Sequence, residues 1–251
     1  MNHACNYNIY LCIFQLYFLI KVVENNNYNN GVVARYEAAE ITRAEAAAVV
    51  IRMLGMDGIS GSQSTNFYDV PSSHWASANI ATAASMGIIV GYGDGNFGPE
   101  DPVKYEEIIT MILRAMNYDP MVETRGTSWP GNYLAVANTI GIKSTEGGTV
   151  GKEAPRKVVA SLAYSALKAP LMEVVSWGSR TEYAIMDGSN YELKTLLSEN
   201  FDVYILKAIV DSTDKASLSG SAAREDCAKL EILDGYDVEI FEEMKDDNEL
   251  L

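Results

Sequence analysis

A chain of 251 residues, 48% hydrophobic and 21% charged, is long enough for one large or two ordinary domains and has the composition of a globular protein. Its 34 acidic against 19 basic residues give a formal charge of −15, which repels nucleic acid and anionic membrane surfaces, so any anionic ligand needs local basic groups. Cys5, Cys12 and Cys227 cannot build a disulfide framework, and His3 and His74 supply neither a metal-ligand cluster nor a broad basis for catalysis, so no cofactor, no metal and no enzymatic activity are expected.

The first apolar stretch, IYLCIFQLYFLIKVV (9–23), has the length of a signal-peptide core and falls short of the ~20 residues that a spanning helix needs. No basic residue precedes it and no A-x-A site follows. A degraded signal sequence, a mis-set start codon and a damaged first repeat all fit it, and no transmembrane segment is expected.

Beyond the leader the chain repeats itself. ITRAEAAAVVIRML (41–54), VKYEEIITMILRAM (103–116) and APRKVVASLAYSAL (154–167) superpose their apolar positions at helical spacing. The first helix opens on a capping box, Thr42 with Glu45, in which hydroxyl and carboxylate satisfy free N–H groups of the first turn. Glu107 takes the glutamate's place in the second copy, while the third has Pro155 and Val158 and the weakest cap. A second helical set, HWASANIATAASMGII (74–89) over SWPGNYLAVANTIGIK (128–143), matches Trp75 with Trp129 and stops at Gly87 and Gly141, residue types suited to a left-handed helix terminus. The expected helices are therefore 74–87 and 128–141, with 42–54, 103–116 and 154–167 as the other set.

Between the helices of the second copy runs GYGDGNFGPEDP (91–102), too rich in glycine and proline for helix or strand, with Tyr92 and Phe97 expected to anchor it into a core. NYNNG (27–31) is its faded relative ahead of the first TRAE. After Pro170 the pattern turns β-like: a strand is expected in 202–212 and two more in 229–241 across Asp234-Gly235, with a short helix in 191–200 and a loop over 213–226.

FYDVPSSHWASANIATAASMGIIVGYGDGNFGPEDPVKYEE (67–107), together with TRAE (42–45), resembles the S-layer homology domain, a repeat of bacterial cell-surface proteins. The resemblance covers residues 27–170. It implies a mainly α, three-repeat module of pseudo-threefold arrangement with a degenerate first repeat: leader 1–26, partial repeat 27–62, second repeat 63–120, degenerate third repeat 121–170, then a small β-rich C-terminal domain at 171–251. It further implies an extracellular protein held non-covalently at the cell wall, whose grooves between repeats bind a peptidoglycan-linked secondary cell-wall polysaccharide, commonly pyruvylated. Other S-layer subunits are possible further partners.

Carried over residue by residue, the family's groove positions fall on Arg43 and Arg156, with Trp75 and Trp129 as aromatic faces and Gly91 and Gly93 as points of close backbone approach. Tyr105 stands where the second arginine belongs, and neighbouring Lys104 supplies a charge without a fork, so fewer than three working grooves are expected. Arg43 is expected to be exposed, to dominate binding ahead of Arg156 and to matter little for folding.

Plainer roles compete at several positions. Large apolar side chains on a helix face ordinarily pack, which places Trp75, Phe67, Ile80 and Phe97 in the core. Asp69 reads as a turn or cap residue and His74 as part of a helix start. The acidic turn at 93–96 lacks the ligand ladder of a calcium loop. A second function class, an anchored fragment of a cell-surface carbohydrate-active hydrolase, remains beside the anchoring reading.

Overall fold

The structure is a computed structural model that describes residues 38–56, 64–177, 180–189, 191–203, 208–213, 215, 228–232 and 237–238. The leader, the NYNNG segment and the Asp234-Gly235 turn lie outside the described residues. The chain divides after Val203 into two compact units, the second being Tyr204–Leu251.

Among its described residues the first unit is mainly helical: α1 Arg43–Met53, α2 Ser77–Ser85, α3 Tyr105–Ala115, a short α4 Asp119–Glu123, α5 Gly131–Thr139, α6 Arg156–Lys168, the hairpin strands β1 Met172–Trp177 and β2 Arg180–Ile185, and α7 Leu196–Phe201. The second unit contains β3 Ala208–Thr213, β4 Ala228–Ile232 and β5 Asp237–Val238, antiparallel in that order with a register shift between Val210 and Ser212.

Helix α1 begins where expected: Thr42 Oγ1 accepts from the Glu45 N–H at 3.2 Å, and Glu45 Oε2 accepts from the Thr42 N–H at 2.9 Å. In α3 the Glu107 carboxylate accepts from the Lys104 N–H at 2.9 Å, and α6 starts at Pro155 with no side-chain cap. Helices α2 and α5 each start three residues later than the patterns at 74 and 128 predict; ahead of α2 the His74 ring takes up the preceding turn, its Nδ1 accepting from the Ala76 N–H at 3.1 Å. Both end as expected, with Gly87 at φ +73° and Gly141 at φ +80°, a conformation that disfavours any residue carrying a Cβ.

The three longer helices start around a closed ring of backbone hydrogen bonds. The Ile41 N–H donates to Ala154 O at 3.3 Å, the Ala154 N–H to Val103 O at 2.9 Å, and the Val103 N–H to Ile41 O at 2.9 Å. All three residues are buried, so pairing these groups with one another avoids the penalty of unsatisfied backbone in an apolar setting. A second tier runs around the same three helix starts in the opposite sense: the N–H groups of Arg43, Tyr105 and Arg156 donate to the carbonyls of Asp101, Lys152 and Ala39 at 2.8, 3.0 and 2.8 Å, which occupies helix N–H groups that lack partners within the helix. Below the ring the helices bury Val50, Ile51, Ile108, Ile112, Leu113 and Leu162 in one core, each such side chain contributing roughly 1.5–3 kcal/mol.

The first unit runs past the boundary expected at residue 170. Tyr118 Oη donates to Pro170 O at 2.8 Å, the Met172 N–H donates to Met116 O at 3.3 Å, Asn200 Nδ2 donates to Met53 O at 3.2 Å, and Met172 and Leu196 join the helical core. The β1–β2 hairpin was not legible in the sequence. The short helix expected in 191–200 is α7, and the strand expected from 202 starts at Ala208 because Asp202, at φ +55°, is the left-handed cap of α7.

Two aromatic expectations require correction. Phe97 is the loop's anchor at 1% exposure, but Tyr92 is 53% exposed, with Oη donating to Asp101 Oδ2 at 2.9 Å: its phenol meets its best partner at the surface. Trp75, for which a core place competes with a ligand-facing one, is 59% exposed, because it sits in the turn ahead of α2 and not on the helix's apolar face, while Ile80 is buried and Phe67 is partly buried against the core.

Candidate functional site

The loop at 91–102 is held as a rigid body. Asp69, from the F-x-D-V stretch, accepts from the Phe97 N–H at 2.8 Å through Oδ1 and from the Gly98 N–H at 2.7 Å through Oδ2, which is the turn role expected of it. The Tyr92 N–H donates to Asn96 O at 2.9 Å, and the Asn96 N–H donates to Asp94 Oδ1 at 2.9 Å. Gly91 brings the backbone close to the loop itself and to the segment beside it: a Cβ there would collide with Asn96 O and lie 2.7 Å from Phe67 Cε1. Gly93, at φ +87°, faces open space.

Beside this loop lies a groove of about 290 Å³. One wall is the loop with Gly91, Tyr92 and Phe97, another is Arg43 at the start of α1, and the floor is the stripe Glu107, Thr110, Met111 and Arg114 of α3, successive neighbours on one helical face. Trp129 closes one side. Of the residues carried over from the family, Arg43, Gly91 and Trp129 come together here, while Arg156, Trp75, Lys104 and Gly93 are not among its lining residues.

Arg43 is not the exposed residue that its position at a helix start suggests; it is 7% exposed. Nε donates to Phe97 O at 2.9 Å, one terminal nitrogen to Glu107 Oε1 at 3.1 Å and the other to Val90 O at 3.2 Å. Its guanidinium carbon lies 4.7 Å from the Tyr92 ring centroid and 4.8 Å from that of Phe97. The planar fork that suits a ligand suits a buried joint equally well, and here it ties α1, the loop and α3 together.

Arg156 repeats the arrangement by pairing with Glu45 of α1. Burial alone would raise the Glu45 pKa, but the hydrogen bond from Arg156 and those from Thr42 outweigh it and hold the carboxyl below its ordinary value. Lys104 is exposed at the α3 start, and Tyr105, in the arginine's place, lies against Gly148, where a Cβ would collide with its ring.

Trp129 is half exposed, yet its orientation is fixed: Nε1 donates to Thr110 Oγ1 at 3.0 Å, and that hydroxyl donates to Glu106 O at 2.8 Å. Arg114 is half-buried, its Nε donating to Tyr133 Oη at 3.1 Å, while Tyr133 Oη donates to Asp119 Oδ1 at 2.7 Å. Sequence reading passed over Arg114, although Arg52 occupies the same register in α1 and repetition of a cation on an otherwise apolar helix was a usable signal.

A buried arginine strut, a braced glycine-rich loop and long helices rooted on a common ring thus surround the groove. Residues 66–109 match the S-layer homology domain. The chain is 34% identical over 163 residues to the middle cell wall protein of Brevibacillus brevis, across 62% of this chain and 15% of that protein. It is 29% identical over 204 residues to the surface layer protein of Brevibacillus choshinensis, across 78% of this chain and 17% of that one. Against the cellulosome-anchoring protein of Acetivibrio thermocellus it is 36% identical over 76 residues, 30% of this chain and 17% of that protein. The matched region thus spans less than a fifth of the length of each of these relatives.

Proposed function

We propose that this chain is a non-catalytic, non-covalent anchor of the bacterial cell surface, and that its groove binds a secondary cell-wall polysaccharide attached to peptidoglycan. The observation that carries the reading is the groove itself, where a braced half-exposed indole and arginine side chains line one space in a chain of strongly acidic overall charge. An indole face takes the C–H surface of a sugar ring, and a guanidinium takes a carboxylate appended to it. The relatives, named as wall, surface-layer and anchoring proteins, support the same location at the cell wall.

The three-repeat organisation is part of this proposal, supported by the ring of Ile41, Val103 and Ala154 and by the two tiers of equivalent hydrogen bonds. Arg156, Glu45, Arg52 and Trp75 stand in the register of Arg43, Glu107, Arg114 and Trp129, which assigns them to a second groove. The remaining position, with Tyr105, Val158 and Ser165, has lost its charges and is assigned no polymer binding.

Co-sedimentation of the full chain with purified Brevibacillus brevis sacculi, before and after chemical removal of the secondary polymer, tests the reading. Pelleting that disappears with the polymer is expected. Pelleting that survives its removal, or no pelleting at all, contradicts it.

A further inference from the structure

We infer that Arg114, and not Arg43, is the residue that receives the anionic group of the ligand in this groove, an assignment that rests on the groove-binding reading above. A guanidinium offers five N–H donors and one positive charge, and what it can give a ligand is what the protein has left unused. Arg43 has little left. Its three nitrogens all donate within the protein, Glu107 neutralises its charge, and two aromatic rings lie against it.

Arg114 is the reverse case. Only its Nε carries a hydrogen bond, to Tyr133 Oη, and among the described residues its two terminal amino groups have none. The nearest carboxylate oxygen, Asp119 Oδ1, is 3.9 Å from Nε and already accepts the Tyr133 hydroxyl at 2.7 Å. Tyr133 and Asp119 therefore brace the guanidinium at its inner nitrogen, which leaves the two-pronged edge for bidentate contact with an oxyanion and reduces the ordering cost of making it.

The groove is thus polar along its length. At the Glu107 end of the α3 stripe the cation meets its carboxylate at 3.1 Å, whereas at the Arg114 end the carboxylate stands 3.9 Å off, on the Nε side, and also accepts the Tyr133 hydroxyl. Thr110, between them, fixes Trp129. The ligand that fits is a pyranose carrying a carboxylate, its ring against Trp129 and its carboxylate on the Arg114 fork.

The probe is a methyl glycoside bearing a carboxyethylidene ketal, titrated calorimetrically into the full chain beside its uncharged methyl ester and beside acetate, with the Trp129 indole N–H followed by NMR. The wild type is expected to bind the acid ten- to a hundredfold more tightly than the ester, on the order of what hydrogen bonds to a charged group supply, to shift the indole signal and to bind acetate weakly. Arg114→Gln should bring the acid down to the affinity of the ester, and Arg114→Lys should restore part of the preference; Tyr133 keeps Asp119 in both, and unchanged urea midpoints verify folding. Full acid preference in folded Arg114→Gln overturns the assignment while leaving the groove reading intact. A wild type that sediments with sacculi but does not distinguish acid from ester also overturns it, whereas a wild type that binds neither sacculi nor glycoside overturns the anchoring reading first.

Discussion

Arg43 on α1 and Glu107 on α3 meet with a terminal guanidinium nitrogen 3.1 Å from Oε1, and Arg156 stands in the same relationship to Glu45. In each case the arginine at the start of one long helix reaches the capping glutamate of the next, so one carboxylate both caps its own helix and clamps a neighbour. Where the cycle would close a third time, Tyr105 replaces the arginine and Val158, buried, replaces the glutamate. Both members of the pair are lost together, which leaves no unpaired charge at the joint.

Replacing Arg43 with Ala removes donors from Phe97 O, Val90 O and Glu107 at once. The expected loss of folding stability is about 2–3 kcal/mol, the scale of a buried charged hydrogen-bonding group, read as a lower urea midpoint at unchanged slope. A midpoint equal to that of the wild type would contradict the strut role and return Arg43 to the ligand.

The apolar third joint gives a complementary test. Tyr105→Arg alone introduces a cation with no carboxylate opposite and should destabilise. Combined with Val158→Glu it should recover part of the loss, with a coupling energy of about 0.5–3 kcal/mol. Strictly additive effects of the two changes would show that these positions do not face each other as the Arg43 and Glu107 pair does.

Glu45 makes the module acid-sensitive. Its folded pKa lies below the ordinary value of 4.5 because the Arg156 and Thr42 hydrogen bonds outweigh the effect of burial. As pH falls the unfolded chain takes up this proton before the folded one does, so the stabilisation is complete above about 4.5 and is lost as pH falls through the folded value. Urea midpoints measured from pH 7 to pH 3 should decline in that window, and Glu45→Gln should start lower at pH 7 and decline less. Parallel pH profiles for the two proteins would remove Glu45 from the account.

Asp69 joins the loop to the body through two backbone N–H groups. Asp69→Ala should cost about 1.5–3 kcal/mol, since two charge-assisted hydrogen bonds disappear and the Phe97 N–H, beside the buried ring, loses its acceptor. Hydrogen exchange at Phe97 and Gly98 should accelerate in the same variant. Unchanged protection there would mean that the glycine turn holds itself.

Much of this arrangement was legible because helix register, capping residues and glycine stops are local properties. The superposed apolar positions of the three long helices, the Thr42 box and the left-handed Gly87 and Gly141 all appear where the pattern put them. Burial of Arg43 was not legible, because it depends on Phe97 and Glu107, 54 and 64 positions away, folding onto it. The core role expected of Tyr92, and weighed for Trp75 beside a ligand-facing one, rested on residue type, whereas their neighbours place both at the surface. Arg114 escaped because an arginine in the last turn of a helix has an ordinary reading in the helix dipole.

Trp129 and Trp75 occupy matching turns ahead of α5 and α2 and are similarly exposed, yet they differ in what lies beneath them. Trp129 is pinned by Thr110, whereas the residue of α1 in the register of Thr110 is Ala48, which has no hydroxyl to offer. A fixed ring gives up less entropy when a sugar stacks on it, so the two indoles should contribute unequally to wall binding. Trp129→Ala should weaken binding to sacculi by about 1 kcal/mol, roughly fivefold, while Trp75→Ala should cost less than half of that in free energy. Thr110→Val, which removes the pin and keeps the shape, should move the Trp129 groove toward the behaviour expected of Trp75. Equal losses for the two tryptophan variants, or a Thr110→Val protein that binds as the wild type does, would show that the hydroxyl brace plays no part in holding the polymer.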